Sequence, residues 1–213
     1  KILLGNNNFL FVDEAQKIQN VGNMLKIVAD KFKEVKLIVT GSSAFKLSEA
    51  VNESLTGRKR EFKLYPLSFK EMADYTSVLE ESRLIEHRLI YGYYPEVVTS
   101  VGDEKEVIKE LIDSYLYKDV LEENNIAKPD HLVKLVQALA FQIGSTVSAT
   151  ELAGLVGIDA KTVERYIEIL EKSYIIFTIP SYAKNQRNEL KFARKIYFWD
   201  TGIRNGVIRN MAP

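Results

Sequence analysis

The chain has 213 residues, with 46% hydrophobic and 27% charged residues and 29 cations against 29 anions. That composition describes an ordinary globular chain of one large or two small domains, without a global field drawing it to nucleic acid. There is no cysteine, which excludes disulfides and thiolate metal sites, and no apolar run approaches the roughly 18 residues of a membrane span. With no signal peptide visible, the expected location is the cytoplasm.

Phe9 to Val12, in "FLFVDEAQKI", is a short apolar run meeting Asp13 and Glu14, the pattern of a buried parallel strand. Val21 to Phe32 spaces Val21, Met24, Leu25, Val28 and Phe32 as one helix face. "VKLIVTGSS", Val35 to Ser43, reads as a second buried strand. Strand, helix and strand make a βαβ unit. Ser43 to Val51 reads as a short helix, and "REFKLYPL" as a strand with Phe62 and Leu64 on one face, stopped at Pro66. Ser68 and Glu71 have capping-box spacing.

Helices alone are expected from Ser77 to Asn125. One carries a stripe of Leu84, Ile85, Leu89 and Ile90, broken at "YGYYPE"; another runs from Val107 through Ile108, Leu111, Ile112 and Tyr115 to Leu116. The aromatic "YGYYPEVV" reads as a packed helix–loop junction. Pro129 opens a helix that continues through Phe141 to Gly144. Ser148 caps "SATELAGLVG", and Asp159 caps "DAKTVERYIEILEKS", whose Val163, Tyr166, Ile167 and Leu170 point inward. "YIIFTIP" and "KIYFWD" are β-prone runs joined by a basic loop, with Trp199 expected in the core and Asp200 capping the next turn. Helix, turn, helix and a two-stranded wing follow the order of a winged helix-turn-helix. The expected layout is a partial αβα core over 1–76, a helical segment over 77–128 and a winged helix over 129–213.

Ligands of parallel α/β sheets bind beyond the carboxyl ends of the strands. Asp13 and Glu14 stand at one such end, and Thr40, Ser42 and Ser43 at the other. Two carboxylates and a group of hydroxyls suit Mg²⁺-dependent nucleotide hydrolysis: a hard cation takes oxygen ligands, and a second carboxylate orients or deprotonates water. His87 and His131 lack neighbouring ligand patterns and read as ordinary histidines.

The ordered motifs "FLFVDEAQKI", "KLIVTGSS", "LTGRKREFKLYPLSFKEM", "YGYYPEVV", "YLYKDVLEENNI", "STVSATELAGLVGIDAKTVERYIEILEKSYII" and "KIYFWDTGI" together resemble AAA-type P-loop ATPases of bacteria and archaea, in the group with a C-terminal nuclease-like domain of unknown function. The resemblance implies that Asp13 is the Walker B aspartate holding Mg²⁺ with ATP and that Glu14 activates water. It implies that Thr40 is the sensor, with Ser42 a second one. Arg58 falls where this group keeps an arginine near the nucleotide, acting in cis or toward a neighbouring subunit of a self-associated protein. Gln16 also fits the "DEAQ" pattern.

A P-loop needs Gly-Lys in "GxxxxGK[ST]", and no Gly-Lys dipeptide occurs in these 213 residues. The resemblance places that loop upstream of Lys1 and the nuclease-like segment beyond Pro213, so a fragment inactive toward ATP by itself is expected. The expected function is thus that of an AAA-type ATPase whose nucleotide state is coupled to a winged helix. The other reading is a non-enzymatic DNA-binding or protein-interaction module on a degenerate ATPase scaffold. For the second reading, the helix from Asp159 balances Lys161, Arg165 and Lys172 against Glu164, Glu168 and Glu171, whereas the wing sets Lys184, Arg187, Lys191, Arg194 and Lys195 against Glu189. Lys184, Arg187 and Lys191 are the candidate phosphate contacts with DNA.

Overall fold

The computed structural model describes residues 8–41, 57–124, 126, 128–180 and 194–212, with backbone alone at 118, 119, 122 and 123. The chain divides into two compact units, Lys1–Lys63 and Leu64–Pro213.

In the first unit, β1 (Phe9–Val12) and β2 (Lys36–Val39) pair in parallel, with Phe9 opposite Lys36 and Val12 opposite Val39. α1 (Val21–Lys31) makes the crossover. Parallel neighbours need such a connection, because a tight turn cannot reverse the chain twice. Val21 and Leu25 of α1 and Ala15 are buried, with Val12, Leu37 and Val39 packed against them. The strands alternate rather than being buried on both faces: Phe9, Phe11 and Ile38 are 48%, 55% and 46% exposed.

The second unit is largely helical. α2 (Phe69–Tyr75), α3 (Val78–Arg83), α4 (Ile85–Tyr91), α5 (Pro95–Thr99) and α6 (Glu104–Leu111) lead into a π-helix over Ile112–Asp119 and a short α7 (Val120–Glu123). α8 (Pro129–Phe141), β3 (Thr146–Val147), α9 (Ala149–Val156) and α10 (Ala160–Lys172) follow. β4 (Ile176–Ile179), β5 (Arg194–Phe198) and α11 (Thr201–Val207) complete the order. β5 lies between β3 and β4, antiparallel to both. The core joins Ile108, Ile112 and Leu116 to α8, to the inner face of α10 and to Ile176 and Ile196. Val163, Tyr166, Ile167 and Leu170 are all buried.

Caps fall where the sequence places them. Ser68 and Glu71 form a reciprocal capping box, and Ser148, Asp159 and Asp200 accept from Glu151, Thr162 and Ile203 backbone N–H groups. α1 and α8 follow the expected spans closely, and Gly144 has the positive φ expected of a stop.

Three expectations are corrected. "REFKLYPL" forms no strand: no described strand pairs with it, and Phe62 and Leu64 are 83% and 94% exposed. Alternation marks β-prone chain, but a strand also needs a ladder partner. The stripe of Leu84, Ile85 and Leu89 is 40–57% exposed, while Glu81 and Arg88 are buried. The helical run breaks at Leu84, so one periodicity cannot be carried across it. Trp199 is half-buried rather than core, because it follows β5 on the outward face. The expected helix from Ser43 to Val51 lies outside the described residues.

Candidate functional site

The carboxyl ends of β1 and β2 bring Asp13 and Thr40 together. Thr40 N donates to Val12 O at 2.9 Å and Ala15 N donates to Thr40 O at 3.0 Å. These two bonds continue the ladder past the strand ends and fix the two residues side by side. The Thr40 hydroxyl donates to Asp13 Oδ1. Asp13 is exposed and Thr40 half-buried, so the carboxylate keeps lone pairs facing solvent.

Glu14 leaves the strand with φ 48° and ψ 44°, in the left-handed region. Non-glycine residues seldom sit there, and such positions recur at functional sites. The conformation turns the chain into a 3₁₀ turn over Ala15–Lys17. Gln16 Nε2 donates to Glu14 Oε2 at 2.8 Å, and Lys17 Nζ lies 3.3 Å from the same oxygen. The carboxylate is therefore oriented by local donors while its side chain stays 37% exposed.

Arg58 is not brought to this end. It pairs with Asp30, at the end of α1 that leads back to the start of β2. Ser42, Lys184, Arg187 and Lys191 lie outside the described residues. Among the described residues, no three His, Cys, Asp or Glu side chains are grouped to hold a metal. The Asp13 carboxylate and Thr40 hydroxyl are hard oxygen donors, of the kind Mg²⁺ accepts while retaining several waters; those two residues fit that ion.

A second cluster escaped the sequence reading. Glu81 is fully buried, and its Oε1 accepts from Arg88 Nε at 2.9 Å. The Arg88 guanidinium lies 5.6 Å from the centre of the Tyr93 ring. Burial, reinforced by the Glu81 carboxylate, raises the Tyr93 hydroxyl to about 12. Asp200 Oδ2 accepts from Tyr93 N at 2.7 Å and Oδ1 from Ile203 N at 3.0 Å, tying the α4–α5 junction to the start of α11. Arg88, Tyr93, Tyr65 and Trp199 line an open cleft of about 340 Å³. The available signal was the pairing of opposite charges seven residues apart on adjoining helices, which hydrophobic periodicity ignores.

A family model described as an AAA domain matches residues 1–73, and one described as a domain of unknown function, DUF8612, matches residues 82–213. An uncharacterized protein of Haemophilus influenzae is 26% identical over 211 residues, covering 94% of this chain and 52% of its own length. An uncharacterized protein of Methanocaldococcus jannaschii is 27% identical over 197 residues, covering 84% and 44%. The chain thus spans about half the length of these curated relatives. No solved structure matches it. Among the described residues, no helix is long and apolar enough to cross a membrane.

Proposed function

We propose, for a chain that belongs to the DUF8612 family, that it forms the metal-and-water side of an AAA-type ATPase whose nucleotide state is coupled to a winged helix. The observation that carries this reading is the Thr40 hydroxyl donating to Asp13 at the shared carboxyl end of two parallel strands. The AAA match over residues 1–73 supports the same chemistry.

In this reading Asp13 holds Mg²⁺ and Thr40 fixes its carboxylate. When bound, Mg²⁺ neutralises charge on the phosphates of ATP. Glu14 orients water and accepts its proton. Its left-handed backbone and the Gln16 bond aim the carboxylate, so little ordering is left to the moment of reaction. Ser42 serves as a second sensor. Arg58 serves the nucleotide, in cis or from a neighbouring copy, after leaving Asp30. The α9–α10 pair and the β4–β5 hairpin supply the winged helix: α9 and α10 are joined through Gly157 at φ 82°, and the hairpin follows α10 directly. ATP turnover would shift that module relative to the core.

The test is Mg²⁺-dependent ATP turnover by the whole gene product. Glu14→Gln should lower kcat by at least about 100-fold, the scale of a lost general base, while retaining ATP. Asp13→Asn should remove the dependence on Mg²⁺ together with turnover. Unchanged turnover in both variants would overturn the assignment.

A further inference from the structure

The outward face of the β3–β5–β4 sheet carries a row of aromatic side chains, while its inward face packs two isoleucines and a phenylalanine into the core. Ile176, Ile196 and Phe198 are buried. Alternation therefore turns Phe177 of β4, and Lys195, Tyr197 and Trp199 on and after β5, to the other side. Phe177 sits opposite Tyr197 in the register, with ring centres 5.6 Å apart and planes at 21°. Phe177 meets Trp199 at 4.6 Å, and Trp199 stacks on Tyr65 at 4.3 Å and 28°. The result is one row of rings, Tyr197 to Phe177 to Trp199 to Tyr65, and none of the four is buried. Tyr65 is 43% exposed, although stacking already covers one of its faces.

Beyond Tyr65 the surface drops into the cleft of about 340 Å³, walled by Trp199, Tyr65 and Tyr93 and bearing Arg88. Arg88 is only 7% exposed, and its Nε is committed to Glu81. Among the described residues its terminal nitrogens have no hydrogen-bond partner, so a fixed planar donor faces an aromatic slot. The acid of the cleft, Asp200, has both oxygens engaged by backbone N–H groups. At the other end of the row lies exposed Lys195.

We propose that this row and cleft bind single-stranded nucleic acid. Bases stack along the rings, one unstacked base enters the cleft with a carbonyl or ring nitrogen facing Arg88, and the backbone follows Lys195. Ring faces hold any base, and cations hold the phosphates. A strip of apolar peptide would use the rings but not the cations at both ends. This site is separate from Asp13 and Glu14, and its test requires neither ATP nor Mg²⁺.

Trp199 is the only tryptophan in the chain, so its fluorescence reports on the site directly. Titration with single-stranded oligothymidylate at low salt should quench it saturably, and added salt should weaken the affinity steeply. Tyr65→Ala and Lys195→Glu should each weaken binding about tenfold, with circular dichroism and melting temperature unchanged. Lys195 is exposed, so its variant stays interpretable if Tyr65→Ala unfolds. Asp13→Asn should bind the strand as the parent does. Absence of quenching, equal affinity for duplex, quenching indifferent to both salt and Lys195→Glu, or response to a proline-rich peptide but not to the strand would each overturn the proposal.

Discussion

Glu81 and Arg88 show what a buried charge demands. Each ion alone would cost several kcal/mol to bury, and the 2.9 Å bond between them offsets part of that. Removing one partner leaves the other uncompensated. Glu81→Ala should therefore destabilise the 64–213 unit by about 3–5 kcal/mol, whereas a double replacement by methionine should recover most of the loss. Urea denaturation of the single and double variants measures the difference. Asp200 poses the related problem of one buried carboxylate satisfied by amides. Burial pushes its carboxyl above the usual aspartate range, and the Tyr93, Ile203 and Gly202 N–H groups pull it partway back. A folded-state value raised above the unfolded one favours the protonated form on folding. The contribution is then complete below the unfolded value and declines as pH rises through the folded one. Asp200→Asn keeps the size of the side chain and removes that titration. The stability lost in Asp200→Asn should therefore be largest at acidic pH and shrink as pH rises, which denaturation at a series of pH values would show.

At the scale of elements, the junction of α4 with α11 is held by close approach. Asn205 Nδ2 donates to Leu89 O at 3.1 Å and Ile90 O at 2.9 Å, satisfying carbonyls that α4 leaves open at its end. Gly202 permits this: a Cβ there would lie 2.0 Å from Tyr91 O, a backbone atom that cannot swing aside. Gly202→Ala should force the two helices apart at a cost of about 1–3 kcal/mol, the range of overpacked sites. Gly154, on α9 with open space around it, is the control and should tolerate alanine with little loss. The same junction shows what the sequence could and could not disclose. Ser68, Ser148, Asp159 and Asp200 were legible as caps because a cap depends on residues three apart. The inner face of α10 was legible because its helix is unbroken. The exposed Leu84–Leu89 stripe was not, since a break at Leu84 rotates the face, and neither was the fate of "REFKLYPL", which depends on a strand partner far along the chain. At the candidate site, the proximity of Asp13 and Thr40 followed from two strand ends in one parallel pair. The pairing of Arg58 with Asp30 did not, because a long side chain's partner is chosen in three dimensions.

For the molecule as a whole, the two units differ in how much apolar surface they withdraw from water. Among the described residues of the first, the only buried hydrophobic side chains are Ala15, Val21 and Leu25, and one face of its parallel sheet leaves Phe9, Phe11 and Ile38 about half exposed. Parallel sheets are ordinarily covered on both faces. The second unit buries a continuous core from Val97 to Val207, including fully enclosed Ile108, Leu132, Leu135, Leu139 and Ile176. Since burial is the main favourable term in folding, at roughly 25 cal/mol per Å² of apolar surface, the second unit should open last. Limited proteolysis of the 213-residue chain should leave a resistant product containing 64–213, and amide exchange should be slowest in α8 and α10 and faster in α1. Naphthalene-sulfonate dyes should brighten on the native protein, and Phe11→Thr should reduce that signal without moving the urea midpoint of the second unit. If α1 instead exchanged as slowly as α8, and dye binding were insensitive to Phe11, the exposed sheet face would have to be shielded in solution, and the stability of the first unit could not be inferred from its own three buried side chains.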